Sequence, residues 1–187
     1  RPLPVYTAHA RHDDGRVLPA GETGTIYFTS LLGTDTFRYH NDAAKTAAAH
    51  AEPGVFTLGD IGHVDGDGYV WLTDRKNDLI ISGGVNIYPA EIEQVLSSHP
   101  AVADVGVFGI PNDEWGEEVK AAVELLPGHE PTAALAEELI RHCREHLAAY
   151  KVPRSVDFEE ELPRHPTGKL YKRLLRDRYW AGTGRTI

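Results

Sequence analysis

Cysteine is almost absent from this chain, with Cys143 standing alone among 187 residues. One thiol excludes an internal disulfide framework and fits a reducing compartment, so a cytoplasmic location is expected. Methionine is missing altogether, and without an initiator at Arg1 a fragment or processed piece of something longer is expected. Long apolar runs are missing too. The longest, Val102 to Ile110, is interrupted by Asp104 and falls short of the roughly 20 residues a membrane-spanning helix needs. No basic start followed by an apolar stretch and a small-residue cleavage site follows Arg1, so nothing reads as a signal peptide. Positive charge is in deficit: 19 Lys and Arg against 28 Asp and Glu leave a net charge of −9, which favours solubility and argues against a general affinity for nucleic acid.

What is present is the composition of a globular protein, 41% hydrophobic and 25% charged with 18 Gly and 12 Pro, rather than that of a disordered or collagenous one. The run Gly24 to Ser30 is rich in β-branched and aromatic residues and predicts a strand. Val55 to Leu58, Ile61 to Val64 and Tyr69 to Leu72 predict further strands, the last two joined by a turn at Asp65-Gly66-Asp67-Gly68. Alanine-rich Asp42 to His50 predicts a short helix capped by Asn41 or Asp42. Residues 1–73 are therefore mostly β.

A second regime begins near Asp74. Leu79-Ile80-Ile81 and Val85-Asn86-Ile87 flank Ser82-Gly83-Gly84 as a hairpin, and Pro89 opens a helix through Leu96. Val102 to Phe108 and Glu118 to Leu126 predict strands. Pro131 opens a long helix with Leu135, Leu139, Ile140, Cys143 and Leu147 at helical spacing, and a last helix is predicted from about Lys169 to Tyr179. The order β-β-α-β-β-α-α makes an α+β unit of roughly 110 residues, large enough to fold alone.

Several local patterns have ordinary explanations. His142-Cys143-Arg144-Glu145-His146 matches the H-x-x-E-H spacing of inverted zinc peptidases, but no third ligand is evident and so short a pattern arises readily on a polar helix face. Asp65-x-Asp67 lacks the further oxygen ligand a calcium loop needs at Tyr69. Glu91 and Glu93 point to different helix faces and cannot act as a paired acid and base; Glu91 suits the helix start. The basic stretch Arg164 to Arg178, with Lys172, Arg173 and Arg176, suits a solvated helix face. No metal ligand set is predicted.

Five segments in fixed order are harder to explain singly: Gly59-Asp60; Asp74-Arg75-x-x-Asp78; Ser82-Gly83-Gly84-x-Asn86-Ile87-x-Pro89-x-Glu91-Ile92-Glu93; Tyr150-Lys151-Val152-Pro153; and Pro166-Thr167-Gly168-Lys169. Together they resemble the adenylate-forming superfamily, which includes acyl-CoA synthetases, adenylation domains of peptide synthetases and beetle luciferases. The resemblance starts with Gly21-Glu22-x-Gly24 and Tyr39-His40-Asn41 and covers nearly the whole chain. It implies the β-rich tail of a large ATP-binding domain over residues 1–73, a hinge at 74–78, and a small mobile α+β lid over 79–187. The implied chemistry is attack of a carboxylate on the α-phosphate of Mg-ATP, followed by thioester formation with coenzyme A. The Ile80 to Glu91 segment is similar to the fatty-acyl-CoA ligase version, whereas peptide-synthetase domains usually carry a more basic hairpin.

The resemblance implies roles for individual residues. Asp60 would accept hydrogen bonds from the ribose hydroxyls of ATP. Arg75 would offer its planar donors to ribose or phosphate oxygens. Gly83 and Gly84 would let backbone approach the pantetheine of coenzyme A. Lys169 would stabilise charge developing between carboxylate and α-phosphate. Asn77 departs from the family, whose pivot is usually Asp or Lys; Asn tolerates unusual backbone angles, so pivoting survives without the charge. Expected partners are the remainder of an ATP-binding domain, ATP with Mg2+, coenzyme A and a carboxylic acid. Two alternatives stand beside the fatty-acyl ligase: a peptide-synthetase or aryl-acid adenylation domain, and a non-catalytic binding or regulatory module that kept the lid fold.

Overall fold

The computed structural model describes residues 1–33 and 36–181; residues 182–187 of the expected lid span lie outside the described residues. The chain divides into two compact units, Arg1–Asn77 and a second that begins at Asp78. Among the described residues no helix is long and apolar enough to cross a membrane.

The first unit is a five-stranded antiparallel sheet. It contains β1 (Tyr6–Arg11), β2 (Gly24–Ser30), a short helix α1 (Ala43–Ala49), β3 (His50–Glu52), β4 (Val55–Val64) and β5 (Val70–Arg75). The order is β1-β2-β4, with β3 and β5 sharing the far edge of β4. Asp42 caps α1 by accepting from the amide of Lys45 at 2.8 Å. The runs 55–58 and 61–64 form one continuous strand instead of two, because the apparent break at Gly59-Asp60 is a bulge: Thr25 faces Ile61 while Tyr27 faces Thr57, so three residues of β4 stand opposite Ile26. The Asp65 to Gly68 turn joins β4 to β5 as expected; Asp65 accepts from the amides of Asp67 and Tyr69 and from the Trp71 indole. Those donors hold its carboxyl below the usual carboxylate range, the Trp71 bond contributing most.

After one 3-10 turn at Lys76–Asp78, the second unit runs β6 (Ile80–Ser82), β7 (Val85–Ile87), α2 (Pro89–Ser97), β8 (Val102–Asn112), β9 (Gly116–Leu125), α3 (Ala133–His146), β10 (Ser155–Glu159) and α4 (Lys172–Trp180). Strand β8 pairs with β9 antiparallel along almost its whole length, while β10 (parallel) and β6 share the other edge of β9 end to end. Alternation along the two long strands sorts their side chains to two faces. Val105, Val107, Val119, Ala121 and Val123 join Ile92, Leu96, Leu139 and Cys143 of α2 and α3 in one core. Phe108 and Ala122 join Leu162 and Leu175 in a second core under α4. Gly106 has a packing reason for lacking a side chain, since a Cβ there would lie 3.0 Å from Leu170 and 3.3 Å from Leu175.

The helix at Pro131 starts two residues later than its proline suggests, with Thr132 as cap accepting from Leu135. The last helix starts at Lys172, three residues after the predicted position, because residues 164–170 close a turn of their own. Strands β1, β3 and β10 carry no sequence signal: two of the five residues of Ser155–Glu159 are acidic, and the segment pairs parallel with the edge of β9.

Cys143 is fully buried in the apolar stripe of α3, and burial pushes its thiol up to about 11. Since the thiolate is the nucleophile, iodoacetamide at mildly alkaline pH should leave the native chain unmodified and label it only in denaturant, as read by mass spectrometry. Fast labelling of the native chain would show that α3 does not cover Cys143.

Candidate functional site

In the first unit, the bulge in β4 does chemical positioning. Gly59 takes φ +80°, a left-handed conformation that favours glycine. Thr57 pins the distortion, donating its hydroxyl to the Ile26 carbonyl at 2.7 Å and accepting from the Gly59 amide at 3.1 Å. Asp60 emerges directly opposite Arg75 of β5. Their side chains meet, Arg75 Nε to Asp60 Oδ1 3.2 Å, with Asp60 17% and Arg75 59% exposed. The structure thus brings together the two residues expected at the nucleotide. A largely buried carboxylate partnered by an accessible guanidinium can exchange that pairing for a polyhydroxyl ligand at modest cost, because a surface ion pair contributes only about 0–1 kcal/mol. Bulges of this kind recur beside functional sites because they re-aim a side chain.

In the second unit, Gly83 and Gly84 form the two-residue turn between β6 and β7, with Ser82 facing Val85. Both have positive φ, +57° and +79°, as a hairpin turn compatible with strand twist requires. The two glycines are not equivalent. The Gly83 amide donates to the Trp115 carbonyl at 2.8 Å, and a Cβ on Gly83 would lie 2.7 Å from the Trp115 ring, whereas a Cβ on Gly84 would meet nothing within 4 Å. Gly83 also lines a cavity of about 510 Å3 with Trp115, Tyr150, Arg144 and Arg154. The cavity combines an aromatic wall with two guanidinium groups, which suits a narrow ligand that carries anionic groups. Trp115, Arg144 and Arg154 were not legible as site residues; the one available signal was a large aromatic in the polar turn before Gly116.

The Tyr150 to Pro153 segment is tied to the start of α2. Lys151 Nζ reaches both oxygens of Glu91, at 2.7 and 2.6 Å, and that bond holds the lysine above its usual range. Glu91 therefore does more than favour a helix start: it fixes one wall segment of the cavity to the helix that follows the glycine turn. Glu93 turns to the other side, accepting from the Val107 amide at 2.8 Å and pairing with Lys172 of α4 at 2.7 Å.

Lys169 lies at the end of a closed turn. The His165 amide donates to the Lys169 carbonyl at 2.8 Å, the Gly168 amide to the His165 carbonyl at 2.7 Å, and Arg164 bridges back to the Gly168 carbonyl at 2.8 Å. Arg164 is itself ion-paired with Asp104 of β8, and Leu170 packs against the α4-side core. The Lys169 side chain is exposed. Asn77, the expected pivot, sits in the 3-10 turn at the division between the units.

Because the Gly83 Cβ position is occupied by the Trp115 ring while that of Gly84 is open, Gly84→Ala should cost about 1–2 kcal/mol of backbone strain alone. Gly83→Ala should cost about 1–3 kcal/mol more from the added clash, and Trp115→Ala should recover that excess in the double variant. Denaturant unfolding of wild type, the three single variants and the double variant checks this; equal losses at the two glycines would show that the ring does not rest on Gly83.

Residues 91–169 match the AMP-binding enzyme C-terminal domain. The chain is 40% identical over 171 residues to the long-chain-fatty-acid–CoA ligase FadD13 of Mycobacterium tuberculosis, covering 91% of this chain and 32% of that one. It is 42% identical over 174 residues to a 2-succinylbenzoate–CoA ligase of Bacillus cereus, covering 92% and 34%. In three dimensions it resembles the o-succinylbenzoate CoA synthetase of Bacillus subtilis in complex with its acyl-adenylate intermediate, with TM-score 0.80 and 38% identity over 95% of this chain and 35% of that one. The chain spans about a third of the length of these relatives. The matched segment, together with relatives at 40% identity or more over nine-tenths of this chain, shows that the chain belongs to the adenylate-forming, AMP-binding superfamily and carries its C-terminal portion.

Proposed function

We propose that this chain is the C-terminal part of an ATP-dependent acid–CoA ligase acting on a fatty acid. In the first step the carboxylate oxygen attacks the α-phosphate of ATP and pyrophosphate leaves, giving an acyl-adenylate. In the second the sulfur of coenzyme A attacks the acyl carbon and AMP leaves. Asp60 and Arg75 hold the ribose, Lys169 stabilises charge at the α-phosphate in the first step, and the Gly83-Gly84 turn admits pantetheine in the second. Mg2+ accompanies the phosphates of ATP, and no residue of this chain is assigned to it. A largely complete ATP-binding domain must supply the acyl pocket and the phosphate loop, so residues 1–187 alone should not catalyse pyrophosphate exchange.

The observation that carries this reading is the separation of the two turns within the second unit. Lys169 is anchored through Arg164 at Asp104, whereas the glycine turn hangs from the Ser82–Gly116 bridge beside Asn112. Eight residues of extended β8 between those anchors correspond to about 26 Å. One rigid docking cannot present both turns to the same adenylate. The second unit therefore pivots between the steps, and residues 74–78 are the segment that absorbs the backbone change, with Asn77 as its pivot. Two turns of different chemistry on one sheet are what a two-step reaction needs and a purely structural module does not.

A second reading is favoured by the 2-succinylbenzoate relatives described above: the acid would be aromatic. An acid panel assayed by thioester formation separates the two, a fatty acid giving the higher kcat/KM under the first reading.

In the full-length enzyme Lys169→Ala should slow adenylate formation by about 10² or more, the scale for loss of one transition-state donor, while thioester formation from supplied acyl-adenylate persists. Equal loss in both steps overturns the assignment. Asn77→Pro fixes φ near −65° and removes an amide donor, so single-turnover measurements should find one half-reaction retained and the other largely lost; wild-type rates in both would move the pivot elsewhere.

A further inference from the structure

The H-x-x-E-H pattern of α3 gains from the structure what its sequence lacked. His142, Glu145 and His146 form the one group of three potential metal-ligating side chains found among the described residues, with one ligand atom from each lying within 4.8 Å of the others. They occupy positions i, i+3 and i+4 at the C-terminal end of the helix, so all three share a face. The two imidazole rings are 4.6 Å apart between centroids.

The hydrogen bonds of the rings settle which nitrogens are available. His142 Nε2 lies 3.1 Å from the Val95 carbonyl and 3.1 Å from the Ser98 hydroxyl oxygen. The carbonyl can only accept, and the Ser98 hydroxyl already donates to that same carbonyl at 2.7 Å. Nε2 must therefore carry the proton, which leaves the Nδ1 lone pair of the neutral ring bare. His146 Nδ1 lies 2.8 Å from the His142 carbonyl and must donate to it, leaving Nε2 bare. A ring that gives one N–H to a backbone carbonyl and keeps the other nitrogen open is in the state a metal-ligating histidine adopts. His99, whose ring lies 5.3 Å from that of His142, is not in this state: its Nδ1 accepts from the Ala101 amide and its Nε2 faces Glu138. Arg144 does not compete, since it lines the cavity beside Gly83.

We propose that His142 Nδ1, His146 Nε2 and a Glu145 carboxylate oxygen bind a borderline first-row divalent cation, Zn2+ fitting best, with water completing the coordination. Two imidazoles and one carboxylate are a donor set suited to Zn2+ at about 2.0–2.2 Å per bond, and side-chain rotation of exposed residues closes the remaining gap. The C-terminal end of the helix dipole adds a favourable field for a cation. Glu145 serves as a ligand here, within reach of both rings, and not as a base activating water. Coordination at His142 Nδ1 polarises its Nε2–H and strengthens the bond to Val95 at the end of α2, so the cation clamps α2 to α3 beneath the core. The site needs no ATP or coenzyme A and stands apart from the proposed reaction.

The test uses the tag-free chain, stripped with chelator and titrated with Zn2+ by calorimetry and with Co2+ by visible absorption. Expected are a single equivalent, a rise in Tm on Zn2+ addition, and weakening by at least about tenfold in His146→Gln, whose ring bonds only within its own helix turn and whose loss should leave the circular dichroism unchanged. Glu145→Gln should weaken binding and shift the Co2+ spectrum, and His12→Gln in the first unit should change nothing. Absence of Zn2+ binding, or equal affinity in wild type and His146→Gln, overturns the proposal.

Discussion

The second unit depends on the antiparallel pairing of β8 with β9. Ten partner positions, from Val102–Leu125 to Asn112–Gly116 with one register shift after Val102, hold two strands long enough to be buried on both faces, and alternation then dictates which helix each residue meets. Odd positions of β9 face α2 and α3, and even positions face α4. The same ladder sets the separation of the two turns, because the glycine turn is attached at one end and the Lys169 turn is anchored toward the other. Lengthening or shortening it would change their separation without touching either turn.

Buried charge is managed on the α4 side of that ladder. Lys120, only 6% exposed, points to that face and is met by Asp157 at 2.7 Å, by the Ser155 hydroxyl at 3.1 Å and by the Tyr179 ring at 4.9 Å. Burial pushes the Asp157 carboxyl up, but donation from Lys120 and Tyr179 outweighs it and holds the group below its usual range. Burial, with the bond to Asp157, raises the Tyr179 phenol. A lysine left unpaired there would be costly, so β10 and α4 are coupled through one cation as well as through apolar contact. Glu93 adds a comparable tie from α2 across to Lys172.

In the first unit the corresponding constraint is the bulge at Leu58 to Asp60. Its cost in lost ladder pairing is met locally by the two Thr57 bonds, and its effect is to turn Asp60 toward Arg75. Glycine at position 59 follows from the positive φ. The five motif segments are thus of two kinds. Some residues, such as Glu91 and Lys151, hold the scaffold; others, such as Asp60, Arg75, Gly83 and Lys169, are presented by it.

The sequence by itself determined the class and most of the elements. Strong periodicity announced α2, α3, β2 and the central strands, turn chemistry announced the hairpins at Asp65 to Gly68 and Gly83-Gly84, and ordered motif segments announced the superfamily and the candidate residues. Tertiary structure decided what depends on a partner remote in the chain. It joined two short runs into β4 through a bulge, and it recruited acidic Ser155–Glu159 as a strand because β9 had an edge to fill. It also made Gly83 and Gly84 unequal through a tryptophan thirty-odd residues away, and it brought the carbonyl of Val95 to the ring of His142, fixing a tautomer that spacing cannot specify. Local propensity is written in neighbouring residues, whereas edges, clashes and protonation states are set by whatever the fold brings against them.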